Sequence, residues 1–444
     1  AAEAGLQAGD IIMEINGKDM AQGDRTPNEL TSYVSDNLRG DPGTTCVLKL
    51  ERPTADSTYI PMELKITRGT IRTNPVPYYG MVDKNIGYIA ISTFAIEGCS
   101  KDIKKALIEL KQQGATSIVL DLRGNGGGLL SEAVNVVNFF VPKGKEIVVT
   151  KGKIKQAGST YKTSNEPIDM EIPLTVLVDG ATASAAEIVS GSLQDLDRAV
   201  IVGNRTYGKG LVQVPRELPY NSSMKVTTAK YYIPSGRCIQ AIDYAKRNAD
   251  GSVARIPDSL TTVFHTAAGR EVRDGGIRPD VEVKAERFPN IMFYLLNDDM
   301  IFDYATQYCI KHPNIGEVKD FSVTDADYDD FKQMLKKRNF TYDRQSEKSL
   351  KNLKEIAEFE GYMEGASEEF AALEKKLTHN LDHELNRFSK QIRKAIAEEI
   401  VKRHYFQRGV ILERMKDDAD LTKAIETLKD KEGYTKILSV PADK

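Results

Sequence analysis

Residues 174–195 read LTVLVDGATASAAEIVSGSLQD. The first part is a short apolar run ending on Asp179-Gly180, the pattern of a strand buried on both faces. Small residues follow, and then a helical pattern. A buried strand turning through Ala181-Thr182-Ala183 into a helix near Ser184 is a unit of an α/β sheet. The turn is where such a sheet exposes backbone groups to a ligand. A serine there is most often only a helix cap. As a nucleophile it would need a base, and no histidine lies within 80 residues of it.

Similar runs repeat on both sides. Strands are expected at GYIAIST (87–93), TSIVLDLRG (116–124), KEIVVTK (145–151), AVIVGN (199–204) and MKVTTAKYYI (224–233). Helices are expected at SKDIKKALIELKQQG (100–114) and LLSEAVNVVNFFV (129–141). Together they predict an α/β core over 71–290, a mostly parallel sheet with covering helices.

Two further stretches end a buried strand with glycine. In DLRGNGGGLLSEA (121–133), Gly124, Gly126, Gly127 and Gly128 permit backbone shapes closed to other residues, just before a helix begins. Free N–H groups at such a place suit an anion or an oxyanion. The spacing fits neither G-x-G-x-x-G nor a P-loop. In NRTYGKGLVQ (204–213), Lys209 stands between two glycines. That suits a surface lysine. It also suits an amine held in a cleft, where exclusion of water favours the neutral form that can act as a base. A Ser-Lys pair is an accepted variant of the Ser-His arrangement.

Residues 1–70 run through a short Ala-rich helical piece, the alternating strand IIMEING, the amphipathic NELTSYVSDNL, the turn Gly40-Asp41-Pro42-Gly43 and the strand TTCVLKLER. Past 290 the strand patterns stop. Over 346–406, Leu373, Leu377, Leu381, Leu385, Phe388, Ile392, Ile396 and Ile400 step by three or four, which predicts one long charged helix with a narrow apolar stripe. The stripe suits a cap on the core or a partner-binding arm. His379 and His383 stand four apart there, but no third ligand pattern accompanies them.

With 41% hydrophobic and 28% charged residues at a net charge of −3, the chain reads as soluble and globular, with no sign of a nucleic-acid or anionic-membrane partner. Cys46, Cys99, Cys238 and Cys309 are too scattered for a compact zinc site or a disulfide framework. No apolar run has the length of a membrane helix. The chain opens at AAEAGLQAGD inside what reads as a domain, so its start is expected to have been cut. The lack of a signal peptide is then uninformative about compartment.

The order helix, strand, helix, strand over residues 1–70, with AGLQAGDIIMEINGK, resembles the C-terminal two-thirds of a PDZ domain, lacking its first strand and carboxylate-binding loop. TASAAE, a lysine 25 residues later in TYGKGLVQ, DLRGNGGGLL upstream and TTAKYYIPSGR downstream resemble the C-terminal processing, or tail-specific, serine protease family over about residues 1–285. The resemblance implies a crotonase/Clp-like α/β protease core over 71–290, behind a partial PDZ domain (1–70) and ahead of a charged helical region (291–444). It implies Ser184 as nucleophile, Lys209 as general base and Gln213 as the residue orienting that lysine. Ala185 and one of Gly127 or Gly128 would supply the oxyanion hole. Ala186 and Gly126 depart from the family's S-A-S-A-S-E and D-L-R-x-N-P-G-G motifs, which often carry serine and proline there.

The implied activity is endopeptidase cleavage near flexible, apolar C-termini of protein substrates, without cofactor or metal, in a periplasm or cell envelope. The helical region would serve self-association or an adaptor. Two other classes stay open. A non-catalytic PDZ-containing scaffold would bind tails with an idle serine. A crotonase-like acyl-CoA enzyme would use DLRGNGGG but leave the Ser/Lys pair and PDZ segment without a role.

Overall fold

The computed structural model describes residues 1–439 except Gln22, Ser57, 154–157, 248–250, Ser252, Ala285, Arg287, Thr378 and His379. Its first strand, β1 (Ile11–Ile15), turns through Asn16-Gly17 into the two-residue β2 (Lys18–Asp19). Helix α1 (Pro27–Leu38) is started by a reciprocal cap: the Glu29 N–H donates to the Thr26 hydroxyl, and the Thr26 N–H donates to the Glu29 carboxylate. Pro27 takes the first helical position, where its missing N–H costs nothing. Strands β3 (Thr45–Pro53) and β4 (Tyr59–Thr67) complete an antiparallel sheet of order β2-β1-β3-β4. One face gathers Ile15, Met20, Cys46, Leu48 and Leu50 into a small core. The Ala-rich opening is helical over Ala2–Ala4 alone, a single turn ended by Gly5 at positive φ.

This sheet forms one structural unit, Ala1–Ile71, together with Glu286–Lys416. The long helix expected over 346–406 is broken into Gln345–Phe359, Met363–Leu377, Leu381–Arg387 and Ser389–Met415, the last kinked at Phe406, where φ is 53°. Gly361 at positive φ separates the first two, and Asn380 caps the third. Leu385, Ile392, Ile396 and Ile400 are fully buried among Ile291, Leu295, Tyr304 and Phe331, whereas Leu373 is exposed. The stripe thus fills the core of the helical region itself. His383 is exposed, and His379 lies outside the described residues.

The second unit joins Arg72–Ala285 to Asp417–Lys444. The helical region expected over 291–444 is accordingly divided between the two units. Strands β5 (Tyr78–Asp83) and β6 (Ile86–Ala90) form a hairpin, followed by helix α2 (Cys99–Gln112), strand β7 (Ser117–Asp121) and helix α3 (Leu130–Val137). Then come β8 (Glu146–Lys151), β9 (Ser159–Lys162), β10 (Leu174–Val178), helix α4 (Ala185–Asp195) and β11 (Val200–Gly203). Strands β12 (Leu211–Leu218) and β13 (Ser222–Tyr232) are long and antiparallel. Two small hairpins follow, β14 (Ile242–Arg247) with β15 (Val253–Arg255) and β16 (Val263–His265) with β17 (Glu271–Arg273), and then β18 (Val281–Glu282).

The main sheet has the order β18-β11-β10-β7-β6-β5. It is parallel from β18 to β6 and antiparallel at β5, so it is mixed rather than wholly parallel. The stretches KEIVVTK and MKVTTAKYYI, expected within it, belong to a separate antiparallel sheet of order β12-β13-β8-β9. Much of β13 is solvent-exposed, which an antiparallel strand tolerates and a central parallel strand does not.

Strands β6, β7, β10 and β11 are buried along their whole length, which is why they read as continuous apolar runs. Ile118, Leu120, Val176, Val178 and Ile201 join residues of α2, α3 and α4 in one large core. Their alternating neighbours Val119, Leu177, Val200 and Val202 are equally buried and, by the two-residue period of a strand, face the other way. Helix Ala419–Lys429, from the end of the chain, packs on β7, β10 and β11 and buries Leu421, Ala424 and Leu428.

Candidate active site

Strands β7, β10 and β11 are adjacent and parallel, so the loops leaving their C-terminal ends lie side by side. These are the three stretches singled out in the sequence. Backbone bonds tie them together: Ala183 N–H to Asn125 O at 2.9 Å, and Tyr207 N–H to Thr182 O at 3.0 Å. The Thr182 hydroxyl donates to Leu122 O at 2.9 Å, and the Asp179 carboxylate accepts from Gly124 N–H at 3.1 Å.

Ser184 sits where β10's loop becomes α4, and its backbone has φ 56° and ψ −117°. An ordinary helix cap is extended. A non-glycine residue at this φ carries strain of about 1–3 kcal/mol, which the surrounding bonds must hold. Ser184 is half-buried, while Ala185 and Ala186 are buried beside it.

The residue that organises the site is Glu187, fully buried one turn into α4. Its Oε2 accepts from Ser184 N–H at 2.9 Å and from Lys209 N–H at 2.8 Å. Its Oε1 accepts from the Thr206 hydroxyl at 2.5 Å and Gly208 N–H at 2.8 Å. One carboxylate oxygen therefore joins the backbones of Ser184 and Lys209. Burial pushes the Glu187 carboxyl up to about 7, against the pull of its four donors. Glu187 stands inside the quoted TASAAE, yet the sequence reading assigned it no role. A carboxylate among alanines at the first turn of a helix reads as a solvated cap.

Tyr231, on β13, is also missed by the sequence. Its hydroxyl donates to the Lys209 carbonyl and its phenol reaches the Ser184 side chain, with burial holding its proton well above the usual tyrosine range. Lys209 itself is half-buried in the loop between β11 and β12. Among the described residues no hydrogen bond joins its amine to the Ser184 hydroxyl. Gln213 lies on β12, exposed, and its amide donates to Thr227 Oγ1 on β13 at 3.4 Å; among the described residues no hydrogen bond joins it to Lys209.

The glycine loop packs directly on the serine. A Cβ on Gly127 would lie 2.7 Å from Ser184 Cβ and 2.8 Å from the Ala185 nitrogen, and φ there is 95°. Gly127 N–H donates to Asn125 Oδ1 at 2.9 Å, and the buried Asn125 amide is itself fixed on Ile91 O at 2.8 Å. Gly128 bridges to Phe94 so closely that a Cβ would fall 2.0 Å from the Phe94 carbonyl carbon. Gly126, at the departure from the family motif, meets nothing within 4 Å. Among the described residues no cluster of metal-ligating side chains occurs.

Residues 85–246 match peptidase family S41, residues 1–52 match a PDZ domain, and residues 291–428 match the C-terminal helical domain of probable PDZ-proteases. The carboxy-terminal-processing protease of Bartonella bacilliformis is 39% identical over 248 residues, 54% of either chain. The carboxyl-terminal-processing protease of a Picosynechococcus species is 38% identical over 237 residues, 53% of this chain and 54% of that one. The carboxy-terminal processing protease CtpA of Bacillus subtilis is 31% identical over 304 residues, 68% of this chain and 61% of that one. The chain thus spans about half the length of the first two relatives. With the peptidase match lying over the three loops and the PDZ match ahead of it, the chain carries an S41 peptidase domain and a PDZ domain and is similar to the C-terminal processing proteases.

Proposed function

We propose that the chain is a serine endopeptidase that forms an acyl-enzyme on Ser184. The observation that carries this reading is the convergence of Ser184 N–H and Lys209 N–H on a single buried oxygen, Glu187 Oε2. Such an anchor keeps the nucleophile's turn and the lysine's loop in register without touching either reactive atom. Neutral Lys209 takes the proton of Ser184 as Oγ attacks the scissile carbonyl, and later returns it to the leaving amine. Ala185 N–H and a glycine N–H from 127–128 receive the oxyanion, each well-placed donor contributing about 3–4 kcal/mol. Because Gly127 N–H already donates to Asn125, its use requires that bond to open, whereas Gly128 N–H makes no bond among those described. Gln213 acts on the lysine only after its amide leaves Thr227.

Substrates are proteins with flexible, apolar C-terminal tails, met in a periplasm or cell envelope. The helical region serves self-association or adaptor contact. The test is cleavage of an unfolded protein with an apolar C-terminus by wild type, Ser184→Ala and Lys209→Ala over about pH 6–10. Cleavage by wild type alone is expected. Normal cleavage by Lys209→Ala would show the base to be another group. Binding of the tail without cleavage would favour the scaffold, and thioester turnover without proteolysis the acyl-CoA enzyme.

A further inference from the structure

The glycine loop after β7 is expensive to order, because each glycine gives up more freedom than other residues. Gly124, Gly127 and Gly128 all take positive φ. Near the serine the loop is held by Asn125 and Asp179. At its root it is held by Arg123, whose guanidinium is built into a cluster of three carboxylates. Asp121 accepts from Arg123 Nε and Nη2, at 3.0 Å and 2.6 Å. Asp418 accepts from Nη1 and Nη2 at 2.9 Å and 2.7 Å, a two-pronged bond, and Asp420 accepts from Nη1 at 3.1 Å. The side chains of Arg123, Asp418 and Asp420 are 21%, 8% and 17% exposed, so this is not a solvated surface pair.

Asp418 and Asp420 lie 295 and 297 residues from Arg123. They begin the helix that covers the second face of the main sheet. That segment is fastened elsewhere too: the Tyr434 hydroxyl accepts from Leu174 N–H at 2.9 Å and lies 3.1 Å from its carbonyl, and Lys429 pairs with Asp83 at 2.6 Å. We infer that Asp418 and Asp420 are positioning residues for the proposed reaction: by clamping Arg123, the C-terminal segment sets the glycine loop that faces Ser184. The chain's last segment is thereby part of the catalytic apparatus, and release of the clamp would be a means of turning the loop off. This rests on the protease reading, and the test separates the two.

Asp418 has a second role that makes the test clean. It caps its helix, accepting from Leu421 N–H at 3.0 Å. Asn caps a helix about as well as Asp, while Ala does not. Asp418→Asn therefore keeps the cap and removes the charge that holds Arg123; Asp418→Ala removes both. In the otherwise unaltered chain, Asp418→Asn should lower kcat about tenfold or more with KM little changed, since small misplacements of a catalytic array cost up to about 100-fold. Hydrogen exchange at the 124–128 amides should quicken, while exchange in helix Ala419–Lys429 stays as in wild type. Asp418→Ala should add faster exchange in that helix. If kcat and loop exchange in Asp418→Asn equal those of wild type, the inference is overturned. It is equally overturned if the loop quickens only when the helix does, for then Asp418 merely holds the segment together. Should wild type never cleave, the protease reading fails, yet loop exchange still decides whether the clamp exists.

Discussion

Replacing Glu187 by Gln alters the one atom pair on which Ser184, Gly208 and Lys209 converge while keeping the side chain's shape. If the new NH2 faced Ser184 and Lys209, it would meet two fixed N–H donors, now 2.9 Å and 2.8 Å from Oε2. Turned the other way it meets Gly208 N–H and the Thr206 hydroxyl, and only the hydroxyl can rotate to accept. The second orientation is preferred, and it leaves one buried N–H, that of Gly208, without an acceptor. Such a group costs about 1–3 kcal/mol. Against this, the variant no longer buries a charge. Burial raises the Glu187 carboxyl from 4.5 to about 7, so the folded chain holds this proton more tightly than the unfolded one. The group's stabilising contribution is therefore complete below about pH 4.5 and is lost as pH rises through about 7, a loss on the order of 3 kcal/mol. The variant should be less stable than wild type at pH 5 by about 1–3 kcal/mol and nearly equal to it at pH 8. Urea unfolding of both chains at the two pH values, followed by circular dichroism, measures the difference. Cleavage at pH 8 should fall about tenfold, as Gly208 beside the base loses its anchor. A stability difference that stays constant between pH 5 and pH 8 would refute the buried ionisation on which this reasoning depends.

Three other outcomes are expected. Gly127→Ala should abolish most cleavage, because its Cβ would press on Ser184 and the Ala185 nitrogen at positive φ; Gly126→Ala meets nothing and should be neutral or stabilising by about 0.4–1 kcal/mol, read by kcat/KM and thermal unfolding of both. Arg237→Ala should destabilise the second unit by about 3–5 kcal/mol, since Arg237 and Asp195 form a buried pair at 2.8 Å and the carboxylate would be left behind uncompensated. Differential scanning calorimetry checks that loss. Thr26→Ala should destabilise the first unit by about 1 kcal/mol through loss of the cap on α1, seen as faster amide exchange in Pro27–Leu38.

The strands LTVLV, SIVLD and VIVG were readable because burial on both faces demands unbroken apolar runs, and their turns because glycine and alanine mark close backbone approach. Adjacency of the three loops follows from the same pattern once the strands are parallel neighbours. Strands β8 and β13 were found but given to the wrong sheet, since pairing partners are set by long-range packing that a local pattern does not encode. The stripe from Leu385 to Ile400 was legible as apolar, but not the breaks at Gly361 and Asn380 that fold it into a core.

For the site, residue type and position at strand ends made Ser184, Lys209 and the glycine loop candidates, and the resemblance of their motifs to a protease family was what assigned them roles. Glu187 and Tyr231 gained their meaning in three dimensions. A buried carboxylate is recognised by its donors, and these come from positions 184, 206, 208 and 209 through folding alone. The clamp on Arg123 lies furthest from what a sequence can reveal. Two of its three acceptors, Asp418 and Asp420, are some 300 residues away, and electrostatic partnership depends on distance through space, which no spacing along the chain records.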